Sequence, residues 1–228
     1  MAKLVWDETG KHFYETGSDR CVLFPMEVGK GTYGNGVAWN GFRGLTENRT
    51  GADETAQYAN NKKYLGIRSS EEFGGTISAY TYPDEWELCD GSASPVDGVH
   101  IGQQARVPFG LAYRTYVGND TTGTNYDYKI HLVYNATASP SNREYATIDD
   151  SPDAVEFSWD FSTTPVEIDG YQPAAHIEID SRTVSKENLK KLEDALYGTD
   201  DVESKLPTPA EVIAMFKTAG SGSAGPRG

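Results

Sequence analysis

Carboxylates at alternate positions are the residues of this chain whose spacing most resembles a chemical site. Glu156 and Asp160 lie four residues apart, and Glu178 and Asp180 lie two apart. Side chains two or four positions apart on a strand share a face, so each pair predicts an acidic strand face. Paired carboxylates perform the acid and base steps of glycoside hydrolysis. In so acidic a chain, however, such pairs also arise by chance, and we expect no catalytic residue.

The other residue types capable of chemistry lack the spacing that a site needs. The histidines are His12, His100, His131 and His176. They are scattered, and none forms an HExxH motif or another ligand spacing. The glycine run 29–36 lacks the G-K-[ST] ending of a phosphate loop. Cys21 and Cys89 lie far apart without a CxxC motif, which predicts two free thiols. We therefore expect no metal and no cofactor.

The charge of the chain limits its possible partners. The 228 residues carry a net charge of −14, and residues 149–203 alone hold 15 acidic and 4 basic residues. Proteins that grip nucleic acid need a basic surface, so tight DNA binding is excluded. No apolar run approaches the roughly 20 residues of a membrane span, and the opening residues show no signal peptide. We expect a protein made in a cytoplasm, with no membrane partner.

Strands are the elements that would position the carboxylates. Residues 154–165, AVEFSWDFSTTP, alternate between apolar and acidic or hydroxyl side chains, which predicts a half-buried strand. Residues 175–180, AHIEID, predict another strand. Alternating runs over 106–117 and 126–134 flank a turn rich in Gly, Asn and Asp, which is typical of a β-hairpin. These segments predict a mainly β fold with many turns.

The remaining segments predict a single domain over residues 1–217. Residues 43–62 are polar and lack a clear period, so they predict a long loop, with an extended hairpin as the alternative. Residues 185–197 predict a helix capped by Ser185, and 209–217 predict a second helix behind a Thr-Pro-Ala-Glu capping box. A short strand is expected over 144–148. Residues 218–228, rich in Gly and Ser, predict a flexible tail.

Four stretches together resemble a known protein family. They are AKLVWDETGKHFYETGSDRCVLFP (2–25), AYTYPDEWELCDGS (79–92), IGQQARVPFGLAYRTYVGNDTTGTNYDYKIHLVYNATASPS (101–141) and ATIDDSPDAVEFSWDFSTTPV (146–166). They are similar to the major tail protein, or tail tube protein, of long-tailed phages with non-contractile tails. The resemblance covers the chain up to about Phe216 and consists of long, ordered matches.

The resemblance implies a fold and an assembly. The fold would be a β-sandwich closing toward a barrel, flanked by helices. Six subunits would form a ring, and rings would stack into a tube through which double-stranded DNA passes without tight binding. The other partners would be the tail tip or initiator, the tape measure and the tail terminator proteins. The protein would be a structural part of the virion tail, assembled in the host cytoplasm, and not an enzyme.

Specific residues receive expected roles from the same resemblance. The channel-facing candidates are Glu156, Asp160, Glu178 and Asp180. Acidic walls would keep a polyanion sliding, although these residues could instead face outer solvent. The candidates for contacts between rings are Phe42, Arg43, Leu45, Glu47, Arg49 and Tyr58. All but Phe42, which directly precedes it, belong to the 43–62 segment, which would reach a neighbouring ring or remain a disordered surface loop until assembly. Residues 1–18 are a second candidate for such contacts.

Two other functions remain open from the residues alone. A soluble carbohydrate-binding or adhesive β-sandwich could use tyrosines as a stacking platform. That platform would comprise Tyr113, Tyr126, Tyr128 and Tyr134. A glycosidase would use one of the carboxylate pairs. Self-association into rings or tubes would distinguish the structural subunit from both.

Overall fold

The computed structural model describes residues 3–145, 147 and 154–217, and these form a mainly β protein. The strands are β1 (Phe13–Pro25), β2 (Val37–Ala38), β3 (Phe42–Gly51), β4 (Glu54–Ala59), β5 (Lys62–Arg68), β6 (Glu71–Ala79), β7 (Ala93–Val96), β8 (Val99–Ile101), β9 (Phe109–Asn119), β10 (Gly123–Ala138), β11 (Phe157–Thr163) and β12 (His176–Asp180). The helices are α1 (Trp86–Asp90), α2 (Lys186–Tyr197) and α3 (Pro209–Phe216). The predicted tail, 218–228, lies outside the described residues.

One antiparallel sheet of eight strands organises the molecule. Its order is β2-β1-β9-β10-β11-β6-β3, and β12 also pairs with β10. Residues 129–133 of β10 pair with β12, whereas residues 136–138 pair with β11. Between them Asn135 has a positive φ of 49°, which is left-handed backbone that Asn tolerates. Strand β10 changes partner at this point, which divides the sheet into a first half (β2, β1, β9, β12 and the first part of β10) and a second half (β11, β6 and β3).

The two halves pack face to face around an aromatic core. Phe109 of β9 meets Phe161 of β11 with ring centroids 6.3 Å apart. Trp39, Trp86 and Trp159 pack in mutual contact at centroid separations of 4.8 to 5.8 Å. The arrangement is consistent with the predicted β-sandwich. The sheet is not closed into a barrel, because within the described ranges no ladder joins β3 to β2 or β1.

Two helices cover the outer face of the first half. Leu189, Leu192 and Leu196 of α2 are buried against that face. Together with residues of β1, β9, β10, β12 and α3 they form a second core, whose buried members are Val22, Phe24, Ala112, Ile130, Leu132, Tyr134, Ile179, Leu189, Leu192, Leu196, Leu206 and Val212. Ser185 caps α2 and Thr208 forms the capping box of α3. Both predicted helices and both of their caps are confirmed.

Several other predictions are confirmed or corrected by the strands. The β9–β10 hairpin and the strand in 154–165 are confirmed. The long loop predicted over 43–62 is wrong. This segment instead forms most of β3 and all of β4, as in the alternative of an extended hairpin. Glu144 and Tyr145 are not in a strand, and the rest of the strand predicted over 144–148 lies largely outside the described residues.

Candidate assembly surfaces

The outer face of the second half of the sheet is polar and carries no helix. Strand register places three rows of residues directly opposite one another on this face. The rows are Gly44, Ser78 and Ser158; Thr46, Thr76 and Asp160; and Asn48, Gly74 and Ser162. Every side chain in the rows is small or polar, and none is Lys or Arg. We call these nine residues the outer polar face.

Asp160 supplies the negative charge of the outer polar face. It is exposed, and its Oδ1 accepts a hydrogen bond of 2.6 Å from the hydroxyl of Thr76. Glu156 lies just before β11 and is also exposed, but it forms an ion pair with Arg43. The structure thus brings Asp160 and Glu156 to the surface, as predicted, with Arg43 as a counter-charge to Glu156. Their role as channel-facing residues stays a prediction.

Glu178 and Asp180 do not share a surface with Glu156 and Asp160. On β12, Ile177 and Ile179 pack toward the helices, so Glu178 and Asp180 point to the opposite face of that strand. The Oε1 atom of Glu178 lies 3.0 Å from Lys129 Nζ. Asp180 pairs with Arg182 at 2.5 Å, and this hydrogen-bonded guanidinium lowers the pKa of Asp180. The two carboxylate pairs thus lie on two separate surfaces of the subunit, and the role of Glu178 and Asp180 as channel-facing residues also stays a prediction.

A protruding hairpin, β4–β5, is the most exposed part of the described chain. Apart from Ala56, every residue of both strands is exposed, and the strands pair only with each other. Leu65 and Ile67 alternate on β5 and are 40% and 56% exposed. Tyr58 of β4 is 72% exposed. We call this hairpin, residues 54–68, the β4–β5 arm. Apolar side chains exposed on a hairpin that pairs with no other strand mark a surface suited to a partner.

The six candidates for contacts between rings divide between surface and interior. Arg43 and Arg49 are exposed on β3, and Tyr58 is exposed on the arm. The other three candidates are corrected by the structure, because the register of β3 turns them inward. Phe42 and Leu45 pack against the aromatic core, and Glu47 enters the space between the two halves, where Tyr113 bonds to it.

The N-terminal segment is attached near its end and exposed before that. Asp120 accepts a hydrogen bond from the Gly10 amide with both carboxylate oxygens at 3.0 Å. Upstream of this attachment, Leu4, Val5 and Trp6 are 72%, 64% and 74% exposed. They lie in the 1–18 segment predicted to make contacts, and they form a second uncovered apolar surface.

The proposed tyrosine platform does not exist as a surface. Tyr113 and Tyr134 are 2% and 1% exposed and belong to different cores on opposite sides of the sheet. Tyr128 packs toward α2, where its hydroxyl donates a hydrogen bond to Glu193. Only Tyr126 of the four is exposed. The prediction of a stacking surface made by these tyrosines is wrong.

The structure also contains a cluster of polar side chains that the sequence did not predict. Glu47 of β3, His131 of β10 and His176 of β12 converge between the two halves of the sheet. His131 Nδ1 lies 3.2 Å from His176 Nε2 and 3.5 Å from Glu47 Oε1. Burial lowers the pKa of His131, and it lowers the pKa of His176 to about 4. Both imidazoles are therefore neutral at pH 7.

Comparisons with known proteins add no assignment to this geometry. No family model matches the chain, and no curated protein matches it. Among the described residues, no helix combines the length and apolar character needed to cross a membrane.

Proposed function

We propose that this protein is a structural subunit that assembles with copies of itself into stacked hexameric rings, as the tail tube of a long-tailed phage. The tube would conduct double-stranded DNA and would join a tail tip, a tape measure and a terminator protein in the virion. The observation that carries the proposal is the β4–β5 arm, which exposes the apolar side chains of Tyr58, Leu65 and Ile67 and pairs with no other strand. In a stack of rings such an arm reaches the next ring.

Unpaired sheet edges support a ring. Within the described residues, β3 and β12 each have a ladder partner on one side only. A head-to-tail contact that closes into a ring uses two different surfaces of each subunit. It would also cover strand edges that are otherwise prone to uncontrolled pairing. The ten-residue β3 offers an edge of this kind beyond its first residues, which lie close to β1 of the same chain.

The outer polar face supports a DNA channel. DNA carries one charge per about 1.7 Å of duplex, and basic side chains bind it strongly. A wall of hydroxyls and small residues with the Asp160 carboxylate would not hold the duplex. The outer polar face also extends over three strands. The helices α2 and α3 do not cover it, because they pack on the first half of the sheet. We therefore assign this face to the lumen.

Electron microscopy of assembled protein tests the proposal. The purified chain is concentrated, alone and with a tail-tip complex, and imaged in negative stain. The variant Leu65→Ser/Ile67→Ser removes apolar surface from the arm. The variant Val96→Ser/Val99→Ser makes the same change on the exposed β7–β8 hairpin and is the matched control.

We expect rings or hollow tubes from the wild type and from the control. The arm variant should remain folded by circular dichroism but form few stacked rings. Failure of the wild type to assemble under both conditions would contradict the proposed function. Assembly by the arm variant as efficient as that of the wild type would instead exclude the arm as the stacking element.

A further inference from the structure

Three strands that are distant in sequence bring two imidazoles and a carboxylate to one point. Glu47, His131 and His176 lie on β3, β10 and β12, in both halves of the sheet. His131 is 3% exposed, and the side chain of His176 is 9% exposed. Two neutral imidazoles and one carboxylate are the donor set that zinc prefers over magnesium and calcium.

The separations of the donor atoms match a tetrahedral metal. The three distances among His131 Nδ1, His176 Nε2 and Glu47 Oε1 are 3.2, 3.5 and 3.9 Å. Zinc bonds of about 2.0–2.1 Å at the tetrahedral angle separate two ligand atoms by about 3.4 Å, whereas octahedral neighbours lie about 3.0 Å apart. The observed spacing is thus closer to tetrahedral coordination.

A metal ion would also fit at bonding distance from all three atoms. The centre of the circle through the three atoms lies about 2.1 Å from each, and the separations need to adjust by only about 0.1–0.5 Å for a tetrahedral zinc ion to lie just outside their plane. The side chain of Glu47 is 29% exposed. The cluster is therefore open to solvent on the Glu47 side, where an ion can enter and a water molecule can complete four ligands.

Neighbouring hydroxyls hold two of the ligands in position. The hydroxyl of Thr115 lies 2.9 Å from His131 Nε2, and accepting a hydrogen bond from this nitrogen leaves the lone pair of Nδ1 for a metal. The hydroxyl of Tyr113 donates a hydrogen bond of 2.7 Å to Glu47 Oε1. Such partners of metal ligands set the tautomer and the orientation of the ligand.

Stacked rings fix the imidazoles from either side. The ring of Tyr113 is parallel to His131 with centroids 4.6 Å apart, and that of Phe73 is parallel to His176 at 4.7 Å. A ligand set held by packing binds a metal with little loss of conformational freedom. In the metal-free protein His131 and His176 share a hydrogen bond. Metal binding replaces this bond, turns each ring by a small angle and moves the proton of His176 to Nδ1.

We propose that Glu47, His131 and His176 bind a zinc ion that clamps β3 to β10 and β12. The ion has a structural role. It joins the edge strand β3 of the second half to β10 and β12 of the helix-covered first half. This inference is independent of the proposed function, because the cluster lies inside one subunit.

Zinc binding to the purified full chain tests the clamp. The protein is freed of metal with a chelator, and zinc is titrated in competition with a chromogenic chelator. Cobalt is then used as a probe, because its visible absorption distinguishes four-coordinate from six-coordinate sites. The variants are Glu47→Gln, which still accepts the Tyr113 hydrogen bond, and His176→Gln. Thr115→Val removes the partner of His131, and His12→Gln is the control because His12 lies outside the cluster.

We expect one zinc ion per chain, a four-coordinate cobalt spectrum and a higher melting temperature with zinc but not with magnesium. Glu47→Gln and His176→Gln should lose binding, Thr115→Val should weaken it by about 10–100-fold, and His12→Gln should bind as the wild type does. The absence of saturable zinc binding would overturn the proposal. Binding that survives Glu47→Gln and His176→Gln, or that His12→Gln abolishes, would also overturn it. If His176→Gln fails to fold, Glu47→Gln alone decides.

Discussion

The two halves of the sheet share an inner core but differ on their outer faces. In the first half the outward side chains of β9, β10 and β12 are apolar, as Ala112, Leu132 and Ile179 show, and α2 and α3 cover them. In the second half the outward positions of β3, β6 and β11 hold Ser, Thr, Gly, Asn and Asp, and no helix covers them. Apolar area removed from water is the main stabilising contribution in folding. The first half therefore carries more of the stability, and the second keeps a surface available for partners.

The ion pairs of the two halves differ in the same way. In the first half Arg114 is 9% exposed and binds Asp19 through two hydrogen bonds of 2.6 and 2.8 Å. In the second half Arg43 and Glu156 pair at the surface, with side chains 51% and 38% exposed. Exposed pairs contribute little to stability, whereas removing one partner of a buried pair is costly.

The largest expected effect comes from the helix-covered face. Leu192→Ala leaves a cavity between α2 and the sheet, because Leu192 is fully buried. We expect the free energy of unfolding to fall by about 2–5 kcal/mol. Equilibrium unfolding in urea, followed by circular dichroism, measures this change.

Ser158→Ala on the outer polar face is the matched control for Leu192→Ala. Ser158 is exposed on β11, and its substitution should change the free energy of unfolding by less than about 0.5 kcal/mol. Equal losses in the two variants would show that the halves do not differ in stability as described.

The features that the sequence predicted are those with local signals. Ser185 and Thr208 cap their helices through amides only three residues further along the chain. The alternation of apolar and polar side chains around Trp159 is likewise visible in adjacent residues. Strand β3 was missed because the alternation there is broken. Its outward positions are polar, and its inward positions include Glu47 beside Leu45. An edge strand with a polar outer face leaves no apolar period to detect.

The Glu47, His131 and His176 cluster could not have been predicted from spacing. His131 and His176 are 45 residues apart, and Glu47 lies in a segment taken for a loop. Only the pairing of β12 with β10 and the packing of β3 over them bring the three together. The same non-local topology separates Glu178 and Asp180 from Asp160, which strand alternation by itself could not reveal.

The second prediction concerns the partly buried ion pair of Arg114 and Asp19 in the helix-covered half. Asp19→Asn leaves the guanidinium of Arg114 without its carboxylate, and we expect a loss of about 2–3 kcal/mol at pH 7 because the pair is partly exposed. Urea unfolding at several pH values measures it, with Glu187→Gln at an exposed pair on α2 as the control.

The pH dependence of that loss follows from the pKa of Asp19. Burial by itself would raise this pKa, but hydrogen bonds from Arg114 and Tyr116 outweigh it, so the folded-state pKa is below the ordinary value of 3.8. A lowered carboxyl pKa stabilises the folded state above pH 3.8, and this contribution disappears as the pH falls through the folded-state value. The difference between wild type and Asp19→Asn should thus shrink below about pH 4. A difference that stays constant down to pH 2 would refute this electrostatic account.

The smallest expected effect on stability, and the most specific effect on function, comes from the outer polar face. Asp160→Lys exchanges an exposed carboxylate for an ammonium and removes the exposed hydrogen bond from Thr76, so the unfolding free energy should fall by about 1 kcal/mol or less. Tubes should still form, or form only modestly less well. If the face lines a DNA channel, the new cations would hold phosphates, and DNA release and infectivity of phage carrying the variant should fall.

Glu187→Lys makes the same change of charge on α2, where the Glu187 side chain is 80% exposed. It serves as the control in a plaque assay, because α2 lies on the helix-covered half, away from the assigned lumen. A fall in infectivity for Asp160→Lys alone would support the lumen assignment. Equal infectivity of the two variants and the wild type would remove Asp160 from the channel, and with it the assignment of the uncovered half to the lumen.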